Sequence, residues 1–203
     1  MRGKLKKLFA AVLAVLLALS FSGCSELTGL DAQALMSPPK TTADREAIYA
    51  LMGGGVGDVT LVYPKCGDYR SAIISRDLDG CGTSEVVSFC ANGDAGGTRL
   101  EFFKKNTDGV WNSMARFTSA ATQVDKVFFG DLTGDGMDEI IVGWGDPLTA
   151  TASVSVYYVD GDTIRGFSMT TVSYSEMLLT DFDSDNIKEL FVLQAAQTSG
   201  EEI

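Results

Sequence analysis

Asp131-Leu132-Thr133-Gly134-Asp135-Gly136-Met137-Asp138-Glu139 places oxygen-bearing side chains on alternate residues of a glycine-rich stretch, between the apolar runs Val127-Phe128-Phe129 and Ile140-Ile141-Val142. The same signature returns as Asp77-Leu78-Asp79-Gly80-Cys81-Gly82-Thr83-Ser84-Glu85 and as Asp181-Phe182-Asp183-Ser184-Asp185-Asn186-Ile187-Lys188-Glu189. The starts lie 54 residues (77 to 131) and 50 residues (131 to 181) apart. Oxygen donors on alternate residues are how a short loop wraps a hard cation, and a repeat of this period is one supersecondary unit. The expectation is a repeat protein whose loops hold calcium.

Outward from the loops, the pattern is strand, acidic loop, strand, turn, strand, turn, strand. In the first unit Ser71 to Ser75 enters the loop, Val86 to Cys90 leaves it, and Arg99 to Phe103 follows the turn at Asn92-Gly93-Asp94-Ala95-Gly96-Gly97. Asn106-Thr107-Asp108-Gly109 then turns into Val110 to Phe117. The second unit repeats this with Val124 to Phe129, Ile140 to Trp144, Ser153 to Val159 and, after Asp160-Gly161-Asp162, Thr163 to Met169. Four short antiparallel strands per copy, with turn residues at each reversal, predict an all-β chain of propeller-type blades.

These residues resemble the FG-GAP or VCBS-type repeat of integrin-like β-propellers, in which an apolar strand runs into D-x-[DN]-x-D-G-x-x-[DE] and out into another apolar strand. The resemblance covers about residues 70 to 195. It implies calcium in the loop joining the first two strands of each blade, and a propeller fold that binds proteins or glycans. The expected architecture is a partial β-propeller of four-stranded antiparallel blades, two complete and a third begun, with a short N-terminal helix. Because a ring closes with four blades or more, the expectation is also that the chain is a truncated product of a longer reading frame. Exposed faces between blades would then favour self-association.

A cation in such a loop takes side-chain oxygens at positions 1, 3, 5 and 9 and a carbonyl at position 7, with a sharp turn at 6. The second loop offers Asp131, Thr133, Asp135, Glu139 and the carbonyl of Met137. The third offers Asp181, Asp183, Asp185, Glu189 and the carbonyl of Ile187, with Asn186 at the turn. In the first loop Asp77, Asp79 and Glu85 fit, but Cys81 stands at position 5, and a thiol is a soft ligand better suited to zinc or copper. Calcium is therefore expected first in the third loop and least in the first.

The N-terminus bears on location. Arg2, Lys4, Lys6 and Lys7 precede the apolar run Leu8 to Leu19, and Phe21-Ser22-Gly23-Cys24 follows. This resembles a bacterial lipoprotein signal peptide, with Phe21 where leucine is usual, and implies lipidation of Cys24 and anchorage at the extracytoplasmic face of a cell membrane. The predicted divisions are a signal peptide over 1–23, a tether over 24–40, a short helix (Thr42 to Met52) and strand (Asp58 to Tyr63) within 41–63, and blades over 64–203. Removing the four positive charges of the signal takes the formal net charge from −11 to −15. Such acidity excludes nucleic acid as a natural partner, because phosphate binding needs clustered Lys and Arg.

The chain has no histidine, which removes serine triads, cysteine–histidine dyads and histidine metal sites. Nor is there a P-loop, a dinucleotide fingerprint or a G-x-S-x-G elbow. With Cys24 lipidated, Cys66, Cys81 and Cys90 remain. Cys66 with Cys90, Cys81 with Cys90, and three reduced thiols are all open. Trp111, Trp144, Tyr157 and Tyr158 are the aromatics able to stack on sugars, though packing between blades is their commoner role. The first functional expectation is a non-enzymatic, calcium-binding surface lipoprotein that engages a protein or glycan. The alternative is a carbohydrate-active enzyme of polysaccharide-lyase type, or its accessory domain, with Arg70, Arg76, Lys126 and Arg165 as the basic residues to inspect.

Overall fold

The computed structural model describes residues 42–146, 151–169 and 174–194, and the signal segment, lipidation cysteine and tether lie outside them. Among the described residues no helix is long and apolar enough to cross a membrane. The fold is mostly β. Among the described residues one α-helix, α1 (Ala43–Leu51), precedes ten strands.

Helix α1 begins where the Thr42 hydroxyl accepts the Arg45 N–H at 3.3 Å, with Asp44 and Glu46 in the first turn where the helix dipole favours negative charge. Gly53, at φ 97°, follows the C-cap residue Met52. Ile48, Tyr49 and Met52 are buried against Val86, Cys90 and Phe103. Arg99 donates to the Met52 carbonyl at 2.5 Å and pairs with the wholly buried Glu101, which Arg116 also reaches at 2.8 Å. The helix end is thereby tied to the sheet below it.

Strands β1 (Ile73–Arg76), β2 (Glu85–Ala91), β3 (Thr98–Lys105) and β4 (Trp111–Ser119) form an antiparallel sheet in sequence order. A second sheet repeats this with β5 (Gln123–Gly130), β6 (Glu139–Asp146), β7 (Thr151–Asp160) and β8 (Thr163–Met169). The third has β9 (Glu176–Thr180) and β10 (Glu189–Leu193), also antiparallel. The sequence thus predicts antiparallel four-stranded units correctly, and no closed ring is present among the described residues. Strand ends differ from expectation by a residue or two, and separately β-bulges at Phe102/Phe103 and Val124/Lys126 shift the pairing locally.

Residues 58–63 do not form the expected strand. They contribute a single bridge, Leu61 to Cys90, with Val62 N–H on Phe89 O and Ala91 N–H on Thr60 O. The physical reason is competition, because β1 already pairs with Glu85 to Ser88 and leaves only the far end of β2 open.

Strand β2 is buried over Glu85 to Cys90 because it is covered on both faces. Alternate side chains point to opposite sides. Val87 and Phe89 join a core with Leu100, Phe102, Val127, Ile140, Val142 and Trp144, uniting the first two sheets, while Val86 and Cys90 meet α1. Strand β6 divides its residues likewise, Ile140, Val142 and Trp144 to that core and Ile141 to a core with Val154, Tyr174, Met177 and Leu179. Each fully buried large side chain contributes about 1.5–3 kcal/mol relative to exposure. The outer face of the third sheet is bare by comparison, with Leu178, Phe191 and Leu193 exposed.

Trp144 and Tyr157 are therefore core residues, and the possible sugar-stacking role is corrected for both. Trp144 is 2% exposed and its Nε1 donates to Ser155 Oγ at 2.9 Å. Trp111 packs beside α1 and donates to Asp44 Oδ1 at 2.9 Å.

Candidate metal centre

All three acidic stretches are hairpin loops between the first two strands of a sheet: β1–β2, β5–β6 and β9–β10. They are neighbours in space. The Asp138 N–H of the second loop donates to Leu78 O of the first, and the Lys188 N–H of the third donates to Asp131 O of the second at 2.7 Å. The Arg76 side chain, just before the first loop, adds an ion pair to Asp138 at 2.5 Å.

Two carboxylates build the same frame in each copy. The aspartate at position 1 accepts the N–H of position 6: Asp77 from Gly82 at 2.9 Å, Asp131 from Gly136 at 2.8 Å, and Asp181 from Asn186 at 3.0 Å. The glutamate at position 9 reaches back to the N–H of position 2: Glu85 to Leu78 at 2.9 Å, Glu139 to Leu132 at 2.6 Å, and Glu189 to Phe182 at 2.8 Å. Each glutamate thus commits one oxygen to the backbone, whereas Asp131 and Asp181 accept backbone N–H groups on both. Positions 4 and 6 both take positive φ in every copy, at Gly80 and Gly82, Gly134 and Gly136, and Ser184 and Asn186. The requirement at position 4 is missing from a reading based on ligand spacing alone, although two of its three occupants are glycine.

In the second and third loops the position-5 aspartate fixes the next turn. Asp135 accepts from Met137 N–H and Asp185 from Ile187 N–H, each at 2.8 Å. This holds the peptides of Met137 and Ile187, whose carbonyls are the expected position-7 ligands. Carboxylate oxygens of Asp181, Asp183 and Asp185 lie within 4.8 Å of one another. Asp131, Asp135 and Glu139 share the second loop with the exposed Thr133 hydroxyl, but their oxygens do not gather within 4.8 Å of one another as those of the third loop do. An all-oxygen donor set on a hairpin that already has its turns is a fit for a hard cation.

The first loop assembles differently. Asp77, Asp79 and Cys81 also place ligand atoms within 4.8 Å of one another. Cys81, however, makes no hydrogen bond to the position-7 amide; its Sγ lies 2.8 Å from Thr83 Oγ1, and its N–H donates to Asp79. Lys104, on β3, brings its ammonium to 2.6 Å from Asp79 and 3.8 Å from Glu85. A thiol and a neighbouring ammonium do not fit calcium.

Local electrostatics follow burial and donors. Burial pushes Glu85 and Glu139 above the ordinary glutamate value, against the pull of the Leu78 and Leu132 amides, with neighbouring aspartates adding to the rise. Asp131 is lowered, because the amides of Gly136, Gly134 and Thr133 outweigh its desolvation. At Asp79 burial is likewise outweighed, by hydrogen bonds from Cys81 and Lys104, which hold its carboxyl at about 2.

Cys66, Cys81 and Cys90 are free thiols. Cys66 donates to Asp125, which also accepts the Tyr174 hydroxyl at 2.9 Å, and Cys90 is buried beneath α1. The basic residues singled out for lyase chemistry are spread among different partners. Arg76 is on Asp138, Lys126 on Glu176 and Arg165 on Asp160, while Arg70 is exposed. No family model and no curated protein matches this chain.

Proposed function

We propose that this chain is an extracytoplasmic, lipid-anchored protein, attached through Cys24, whose second and third loops bind calcium and stiffen a stack of propeller-type sheets of the FG-GAP/VCBS kind. The stack presents a surface to a protein or glycan and carries out no chemistry of its own. The observation that supports this most is the repeated frame. The same two carboxylates close each hairpin through the backbone, and in the second and third loops the remaining oxygens are all hard donors.

Calcium, when bound, supplies the positive charge that lets the clustered carboxylates approach. The chain's own residues do the rest. Asp131 and Asp181 hold the turn at position 6, Glu139 and Glu189 hold the start of the loop, and Asp135 and Asp185 orient the position-7 peptide. The inter-loop bond from Lys188 to Asp131 O links the two loops mechanically.

Isothermal calorimetry of the full chain with calcium tests the reading. Two sites are expected, with dissociation constants of about 10⁻⁴ to 10⁻³ M, usual for extracellular modules. Asp131→Ala and Asp181→Ala should each remove one site. Heats unchanged by both substitutions would refute it. Glycan-array retention alongside a lyase assay separates binder from enzyme.

A further inference from the structure

Lys104 stands beside Glu85 across the β2–β3 ladder, one step beyond the Val86–Phe103 pair. Its Nζ donates to Asp79 Oδ2 at 2.6 Å and lies 3.8 Å from Glu85 Oε1. These are the carboxylates at positions 3 and 9, two of the places from which a loop of this kind holds its cation. Glu85 is 1% exposed, and its Oε1 has no hydrogen-bond partner; a buried Asp77 oxygen, Oδ1, is in the same condition. A buried carboxylate oxygen without a donor is costly unless positive charge lies near it. For Glu85 that charge is the Lys104 ammonium.

The second sheet shows the contrast. Ile140 pairs with Tyr157, so the residue beside Glu139 is Tyr158, which has no charge to offer. Among the described residues no lysine or arginine forms an ion pair with Asp131, Asp135 or Glu139, nor with Asp181, Asp183, Asp185 or Glu189. Among the described residues only the first loop has a cation ion-paired to the carboxylates at its ligand positions, and it is the loop with a thiol at position 5.

We propose that Lys104 is the resident cation of the first loop, its ammonium replacing a metal ion between Asp79 and Glu85. That hairpin is closed without metal, and Cys81 is tolerated at position 5 because nothing there needs a ligand. The inference rests on the cation reading of the loop frame, but its test addresses the first loop separately.

Cadmium is the probe, since Cys81 is the one thiol in any of the three loops and thiolate–cadmium charge transfer is visible in the ultraviolet. In the full chain with Lys104, a Cys81-dependent band should be absent, the Cys81→Ser variant serving as the subtraction for Cys66 and Cys90. Lys104→Met should gain the band at one equivalent, Lys104→Arg should not, and adding Cys81→Ser to Lys104→Met should abolish it. A Cys81-dependent band of equal strength with Lys104 present, or none in a folded Lys104→Met protein, overturns the proposal. Hydrogen exchange of the unaltered chain decides the case if Lys104→Met does not fold. Protection of the Gly82 amide should be the same with calcium and with chelator, and a calcium-dependent rise there refutes the resident lysine. Gly136 and Asn186 report in the same experiment on the other two loops. Should they ignore calcium while Gly82 stays protected, the calcium reading fails and the lysine stands.

Discussion

The first and third hairpins have one backbone frame and two answers to the same electrostatic problem. Both close by an aspartate on the position-6 amide and a glutamate on the position-2 amide. The first then places Lys104 among its acids, whereas the third leaves Asp181, Asp183 and Asp185 clustered with no ion pair among the described residues. The frame is therefore a property of the loop itself, and the source of positive charge is a property of the strand that happens to lie alongside.

The largest test of that contrast is chelation. A site at 100 times its dissociation constant adds about 2.7 kcal/mol to stability, so two sites together add roughly 5 kcal/mol. Urea unfolding in calcium and in chelator should differ by about that amount. Asp181→Ala should halve the difference, and Asp77→Asn should leave it intact. A loss as large from Asp77→Asn as from Asp181→Ala would erase the distinction between the hairpins.

How much of this was legible in the sequence depends on the range of each interaction. The strands flanking the loops, the short helix and the nine-residue ligand spacing are local, and the chain spells them out. The strand expected over 58–63 failed because its partner, β2, was already occupied by β1, a contest decided by tertiary pairing. Lys104 could not be singled out from sequence, since its place beside Glu85 depends on the register of β2 against β3 and on the turn between them. The buried Glu101, held by Arg99 and Arg116, escaped for the same reason: alternate charges on a strand look like a solvated face until a helix covers them. The unequal second loop, with Thr133 in place of an acid, was visible directly.

A smaller effect sharpens the comparison at position 4. Ser184 is held at φ 67°, where the other two copies have glycine. Left-handed backbone costs a non-glycine about 1 kcal/mol, so Ser184→Gly should stabilise the third hairpin by roughly that much in urea unfolding. Gly134→Ser should cost more than Gly80→Ser, because a Cβ at 134 would come within 2.8 Å of the Ile187 side chain while one at 80 meets nothing nearer than 3.9 Å. Equal costs would show that the loops do not lean on one another as described.

The smallest effect is that of pH. Asp79 has a depressed carboxyl, so its contribution to stability is complete above its ordinary value of 3.8 and is lost as pH falls through about 2. Glu139 is raised above 4.5, which reverses the sign: the ion-free fold favours its neutral form, with a benefit present below 4.5 that is lost as pH rises through the folded value. Cation binding must expel that proton. Calcium affinity of the second loop should therefore weaken as pH falls from neutral toward 4.5. Calorimetry in two buffers of different ionisation heat would count the proton released, and a count of zero throughout that range would remove Glu139 from the ligand set.

Helix α1 has a consequence for growth. Ile48, Tyr49 and Met52 occupy the face of the first sheet that is turned away from the second. In a closed circle of such sheets, that face is where the last would meet the first. Closure would have to evict the helix and break the Arg99 bond to Met52. With α1 in place the array has a lid at one end, as terminal repeats give a solenoid. At the other end of the stack Leu178, Phe191 and Leu193 of the third sheet stay exposed, so the two ends of the described array differ in what they offer a neighbour.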